Sequence, residues 1–223
     1  MPNFLEIDSV VKTFDIKPVL TDIYFSCKTG DIVGIFGRNG TGKSTFLKIL
    51  FGSLSAESKF IRIDNKIYDK PYKTYGEISF LPQDSFLPQQ LSVKKVVELY
   101  LNSDQISSFF DDSILFHLQK NKITHLSGGE LRYLEIKLLL NQNSKFVLLD
   151  EPFNGMSPIL IESVKKLVVQ NSENKGVILT DHDYRNVLEV ANRFCVFFDG
   201  GIKEISDKSE LVKWGYISES KKI

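Results

Sequence analysis

The sequence predicts a mixed α/β fold: a parallel core sheet, an antiparallel β part ahead of it, and an inserted helical segment. Three observations carry this expectation. The stretch from Phe4 to Phe36 reads as short strands. From Asp84 to about Gln142 the apolar spacing turns helical. Beyond it, strand-length apolar runs alternate with helix-length segments, the pattern of a parallel sheet crossed by helices.

Taken in order, Leu5 to Val11 and Ile23 to Cys27 are predicted antiparallel strands, and a Thr29-Gly30-Asp31 turn leads into a core strand, Ile32 to Phe36. A Gly-rich loop and a helix containing Phe46 to Leu50 follow, through about Gly52, and then strands at Phe60 to Ile63 and Ile78 to Leu81. In the helical segment, Ser92 can cap a helix carrying Val93, Val96, Val97 and Leu101, and another runs from Gly128 through Leu140. The returning core offers strands at Phe146 to Asp150, Gly176 to Thr180 and Phe194 to Phe198. Between them lie a helix after Pro158 and one near Asp183 to Val190. Asp207 to Trp214 reads as a last short helix and Ser218 to Ile223 as a frayed terminus.

A chain of 223 residues can bury one substantial core, so a single domain over 1–223 is expected, with 1–83 and 143–223 as its α/β part and 84–142 as its helical part. With 42% hydrophobic and 25% charged residues, the composition is that of a soluble globular protein. The 28 basic residues cancel the 28 acidic ones, so no overall field recruits nucleic acid, and none is expected as a partner. No apolar run approaches the roughly 18–20 residues that cross a bilayer, and the start, Met1 to Glu6, lacks the marks of a secretory signal. A cytoplasmic location is therefore expected. Cys27 and Cys195 each sit in an apolar strand without a partner at metal-ligand spacing, and read as reduced core residues.

Chemistry enters at Gly37-Arg38-Asn39-Gly40-Thr41-Gly42-Lys43-Ser44-Thr45, which fits G-x-x-x-x-G-K-[ST] between an apolar strand and a helix. The glycines let backbone N–H groups turn inward as an anion nest, and the helix start adds partial positive charge. Lys43 is expected to reach the β- and γ-phosphates of a nucleoside triphosphate and Ser44 to offer its hydroxyl to Mg²⁺. The core is thus expected to be that of a P-loop NTPase. Phe146 to Glu151 is an apolar strand ending in two carboxylates. Asp150 is placed to hold the Mg²⁺ shell and Glu151 to polarise an attacking water as general base. Leu126-Ser127-Gly128-Gly129-Glu130 opens a helix whose first turn bares its backbone. The phosphate loop of the same chain has no need of a second anion-binding helix start, so the expected ligand is the γ-phosphate held by a partner subunit; a plain Ser N-cap with a Gly-Gly loop explains the helix start equally well, but not the motifs beside it.

In their order along the chain these motifs resemble those of the ATP-binding subunits of ABC transporters, over essentially the whole length. Gly37 to Thr45 matches the family's Walker A loop, Gln83 in Phe80-Leu81-Pro82-Gln83 its glutamine loop, Leu126 to Glu130 its signature, and Phe146 to Glu151 its Walker B segment with the catalytic glutamate. His182, in Leu179-Thr180-Asp181-His182, matches the switch histidine, and Phe14 falls where the family places a ring on adenine. The resemblance implies ATP and Mg²⁺ as ligands. It implies Gln83 as a sensor of metal and γ-phosphate, and His182 as the residue holding Glu151 and water in line. It also implies a homodimer or heterodimer with another such ATPase, on the inner face of the membrane against a separate permease. The wording of Phe80 to Phe86 and of Glu151 to Gly155 is nearest to the lipopolysaccharide-export and branched-chain amino-acid branch. A soluble ABC ATPase, for example in iron–sulfur assembly, is the alternative; kinases sharing only Walker A lack the signature and the histidine.

Three departures stand out. Glu130 replaces the commoner Gln at the signature's end, a carboxylate where the helix dipole favours one. Ser157 stands where the family usually has an Asp that couples the two ATP sites. The segment between Gln83 and Ser127, which normally docks on the membrane subunit, is short for the family.

Overall fold

The alternation of side chains along the central strands sets the architecture. In β3 (Ile32–Phe36), β7 (Phe146–Asp150) and β8 (Gly176–Thr180) every residue is buried, as expected of parallel strands covered on both faces. Val33, Ile35, Phe146, Leu148 and Ile178 point into one core; Ile32, Phe36, Val147, Leu149, Val177 and Leu179 point into another. The computed structural model describes residues 2–207 and 209–213.

The central sheet has the order β10-β9-β3-β8-β7-β6, where β6 is Ile78–Leu81, β9 is Arg193–Phe198 and β10 is Gly201–Ile205. All its pairs are parallel except that of β10, which closes the edge as a hairpin partner of β9. A second sheet, β2-β1-β4-β5, is antiparallel and consists of β1 (Phe4–Phe14), β2 (Lys17–Lys28), β4 (Ser58–Ile63) and β5 (Lys66–Tyr68). Helix α1 (Lys43–Phe51) fills the space between the sheets with Phe46, Leu47, Ile49 and Leu50, all fully buried.

The other core carries α2 (Val93–Tyr100), α3 (Ser103–Phe110), α4 (Gly128–Asn141), α5 (Pro158–Ser172) and α6 (Tyr184–Val190). Helix α4 is buried on nearly every side, including its charged Arg132, Glu135 and Lys137. Gly34 allows the close approach of α6: a Cβ there would lie 2.6 Å from Val187 Cγ1. Both cysteines are free and buried, and burial raises both thiols above their ordinary value. Of the expected C-terminal helix the structure describes α7 (Glu210–Lys213), while Trp214 and the segment Ser218 to Ile223 lie outside the described residues. Among the described residues no helix is long and apolar enough to cross a membrane.

The strands expected at Leu5 to Val11 and Ile23 to Cys27 extend to 11 and 12 residues. β-bulges in β1 after Ile7 carry it past the point where alternation weakens. β5, β10 and α3 were not anticipated. β5 and β10 are short and bury few side chains, and α3 has only two buried side chains, Phe109 and Phe110.

Candidate functional site

The phosphate loop lies between the C-terminal end of β3 and the start of α1, the end of a parallel sheet where ligands are held. Gly40 and Gly42 have φ of +79° and +102°, a region costly for side-chain-bearing residues, and a Cβ on Gly42 would lie 2.9 Å from both Val19 and Leu20. Lys43 is buried; its Nζ donates to Gly37 O at 2.6 Å and to Arg38 O at 3.2 Å, stapling the loop into a ring. Burial lowers its pKa, against the opposing pull of Glu151 and Asp150. Thr41 Oγ1 donates to Arg38 O at 2.9 Å.

A cavity of about 410 Å³ opens over this loop. Asn39, Gly40, Gly42, Lys43, Ser44 and Thr45 form its floor, Phe14 and Val19 one end, and Gln83, Glu151 and His182 the other. Phe14 is the last residue of β1, half-exposed, with Lys12 Nζ 5.0 Å from its ring centroid. Gly37, Arg38 and Thr41 shape the loop without lining the cavity.

At the far end the expected residues interlock. Ser44 Oγ donates to Asp150 Oδ1 at 3.1 Å, and Thr180 Oγ1 donates to the same oxygen at 3.0 Å. Gln83 Nε2 donates to Glu151 Oε1 at 2.9 Å and lies 3.5 Å from Ser44 Oγ. His182 Nε2 donates to Glu151 Oε1 at 2.8 Å. Glu151 itself has φ +52°, a left-handed conformation that costs a non-glycine residue about 1–3 kcal/mol and persists only where its surroundings enforce it. Those surroundings include Asp181, which sequence reasoning missed. Its buried carboxylate accepts from Phe153 N and Asp183 N, both at 2.9 Å, and so ties the turn after β7 to the turn after β8.

Asp150 offers a direct test of whether a cation fits. It is fully buried and burial raises its carboxyl pKa, yet its Oδ2 accepts no hydrogen bond among the described residues. A buried carboxylate oxygen without a donor, next to a serine hydroxyl at the foot of a phosphate cavity, is a donor set suited to Mg²⁺, which takes one or two protein oxygens and completes its shell with phosphate and water.

The residues Ser127 to Glu130 do not line this cavity. Ser127 caps α4, its Oγ accepting from Glu130 N at 3.3 Å, while the Glu130 carboxylate accepts from Ser127 N at 2.8 Å and from Ser127 Oγ at 2.7 Å. Glu and Gln can both make this reciprocal box, so the substitution keeps the cap intact. Ser127 and Gly128 are exposed, with open space where a Gly128 side chain would be; Gly129 is buried against Leu160. Ser157 caps α5 by position only, with no side-chain bond, and is exposed.

Residues 20–154 match the profile of the family described as ABC transporter. The chain is 28% identical to the lipopolysaccharide export system ATP-binding protein LptB of Haemophilus influenzae, over 99% of this chain and all of that protein. It is also 28% identical to the LptB protein of Escherichia coli K12, over 92% of this chain and 91% of that protein. Among solved structures, an ATP-binding subunit of an ABC transporter superposes with a TM-score of 0.84 at 19% identity, covering 96% of this chain and 95% of that one. A dimeric ATP-binding cassette in a post-hydrolysis state with ADP and Pi superposes with a TM-score of 0.77 at 22% identity, covering 91% and 99%.

Proposed function

Because this chain belongs to the ABC transporter family, we propose that it drives a separate membrane permease by closing as a dimer around two molecules of Mg-ATP and opening when they are hydrolysed. It is an ATP-binding, ATP-hydrolysing subunit, near in sequence to the lipopolysaccharide-export branch. The observation that carries the catalytic reading is the convergence of Lys43, Ser44, Gln83, Glu151 and His182, drawn from four separate segments, on one cavity.

On this reading the backbone N–H groups from Gly37 to Thr45 and the Lys43 ammonium cradle the β- and γ-phosphates, and Phe14 stacks on the adenine. Ser44, Asp150 and a turned Gln83 amide would hold Mg²⁺, which when bound neutralises phosphate charge. Glu151 accepts a proton from the water that attacks the γ-phosphorus, the bond to the ADP oxygen breaks, and ADP and phosphate remain. His182 keeps the carboxylate aimed. Ser127 and Gly128 are exposed and do not line the phosphate-loop cavity, although Gly128 borders a second cavity beside Gln83 and Glu151; their exposure supports their assignment to the ATP of the opposite subunit, either this chain again or another ABC ATPase. The whole chain acts as one ATPase domain, held at the cytoplasmic face of the membrane through the permease. Purification of the tagged chain from detergent-solubilised membranes tests this: a polytopic membrane protein is expected to accompany it. Recovery solely in a soluble complex with iron–sulfur assembly proteins overturns the transport role.

Two smaller effects follow. Phe14→Ala is expected to remove about 1 kcal/mol of stacking, which raises the ATP KM about five-fold with kcat retained, measurable by steady-state hydrolysis. With Ser157 in place of Asp, communication between the two ATP sites is expected to be weak, so Ser157→Asp steepens the ATP dependence of hydrolysis. Strong cooperativity in the natural chain, unchanged by the substitution, contradicts this.

A further inference from the structure

A second cavity, of about 270 Å³, shares Gln83 and Glu151 with the first and is walled on its other side by Arg132 and Glu135 of α4. Arg132 is buried, and its guanidinium works as a three-way fork. Nη1 donates to Pro82 O, in the turn that carries Gln83. Nη2 donates to Asp150 O and, at 3.2 Å, to Glu151 O. Glu135 holds the fork from behind, with 3.5 Å between Nη1 and Glu135 Oε2, and its other oxygen accepts from Phe86 N at 3.3 Å. Burial lowers the Arg132 pKa and raises that of Glu135, the direction expected for a pair kept from water. One side chain thus grips both carbonyls that flank the left-handed turn at Glu151, together with the loop that supplies Glu151's other hydrogen-bond donor.

We propose that Arg132 is a positioning residue for ATP hydrolysis: by clamping the backbone at Asp150, Glu151 and Pro82 it sets the direction of the Glu151 carboxylate. It also makes that direction depend on α4, the helix whose first turn presents Ser127 and Gly128. Arg132 touches neither the nucleotide cavity nor the reacting atoms. It acts through main-chain carbonyls, for which a planar fork with several donors is needed and an ammonium is a poor substitute. The inference rests on the reading of Glu151 as the general base.

The test compares Arg132→Lys and Arg132→Ala with the natural chain, each scored as turnover per bound nucleotide so that loss of folded protein does not count. Arg132→Lys retains a cation beside Glu135 and is expected to fold; it carries the test if Arg132→Ala does not. In both variants kcat is expected to fall about ten-fold or more, since small misplacements of a reacting group are costly, while the ATP KM changes less than about three-fold. Free guanidinium at sub-denaturing concentration is expected to restore part of kcat in Arg132→Ala. A purely structural role lowers the melting temperature and leaves kcat per site unchanged; that result, in Arg132→Lys, overturns the proposal. Glu151→Gln serves as the reference. If it turns over as fast as the natural chain, the general-base reading has failed; if it is inactive while Arg132→Lys is fully active, only the positioning role has failed.

Discussion

Glu151→Gln is expected to lower ATP turnover by about 10²–10⁴-fold, the range for loss of a positioned general base, and to leave an ATP-bound dimer visible by size exclusion. The substitution is nearly isosteric. Its amide oxygen can still accept from His182 Nε2 and Gln83 Nε2, which lie 2.8 and 2.9 Å from Glu151 Oε1. The backbone bond from residue 151 N to Thr180 O at 2.9 Å does not involve the side chain at all. What disappears is the carboxylate that takes the water's proton. At about 1.4 kcal/mol per decade, the expected loss corresponds to about 3–6 kcal/mol of barrier. On the proposed reading, ATP binding relies on Lys43, the loop backbone and the exposed signature turn of a partner, none of which changes, so the closed pair is expected to form and fail to open. A variant that remains monomeric at saturating Mg-ATP contradicts the sandwich, and one that hydrolyses at the natural rate contradicts the general base.

The parts of this site legible in the sequence are those whose chemistry sits in a contiguous run. The run Gly37 to Thr45 names a phosphate loop because backbone N–H groups, glycines and one lysine must be neighbours in sequence to be neighbours in space. Phe146 to Glu151 is similar, since a buried strand announces itself by five apolar or terminal residues in a row. Gln83, His182 and Phe14 have no such local context, and only the resemblance to a family pointed to them; the fold brings all three to the rim of one cavity. Arg132 and Asp181 escaped entirely. Their partners are mainly backbone groups, which leave no mark on composition. The one available hint was Arg132 and Glu135 at i and i+3 among Leu131, Tyr133, Leu134 and Ile136, charged residues in a helix with no polar face to put them on. The strands β5 and β10 were illegible for the opposite reason: as edge partners of β4 and β9 with few buried side chains, they need main-chain hydrogen bonds more than an apolar face.

Asp112→Ala is expected to destabilise the fold by about 3–5 kcal/mol, because it strands a buried lysine. Asp112 and Lys137 have side chains only 9% and 8% exposed and lie 2.6 Å apart. Lys137 Nζ also donates to Phe109 O at 2.7 Å and lies 4.8 Å from the Phe109 ring centroid. The Asp112 carboxylate accepts in addition from Tyr133 OH at 2.7 Å, Ile114 N at 2.8 Å and Leu115 N at 2.9 Å. These bonds join the chain after α3 to the middle of α4, so one carboxylate cross-ties the helical segment. A drop of this size lowers the melting midpoint by roughly 6–20 °C in a domain of this length. Asp112→Ala combined with Lys137→Met removes the stranded charge and is expected to recover much of the loss. The pH dependence has a definite sign. Burial pushes the Asp112 carboxyl up, but the hydrogen bonds from Lys137, Tyr133 and Leu115 N outweigh it and leave its pKa below the ordinary value. Its contribution is therefore complete above the unfolded-state pKa of about 4 and is lost as pH falls through the lower folded value. Between neutral pH and pH of about 4, Asp112→Asn should accordingly show a constant stability deficit against the natural chain, shrinking only below that range. A deficit that instead grows as the solution is acidified rules out the buried pair as its source.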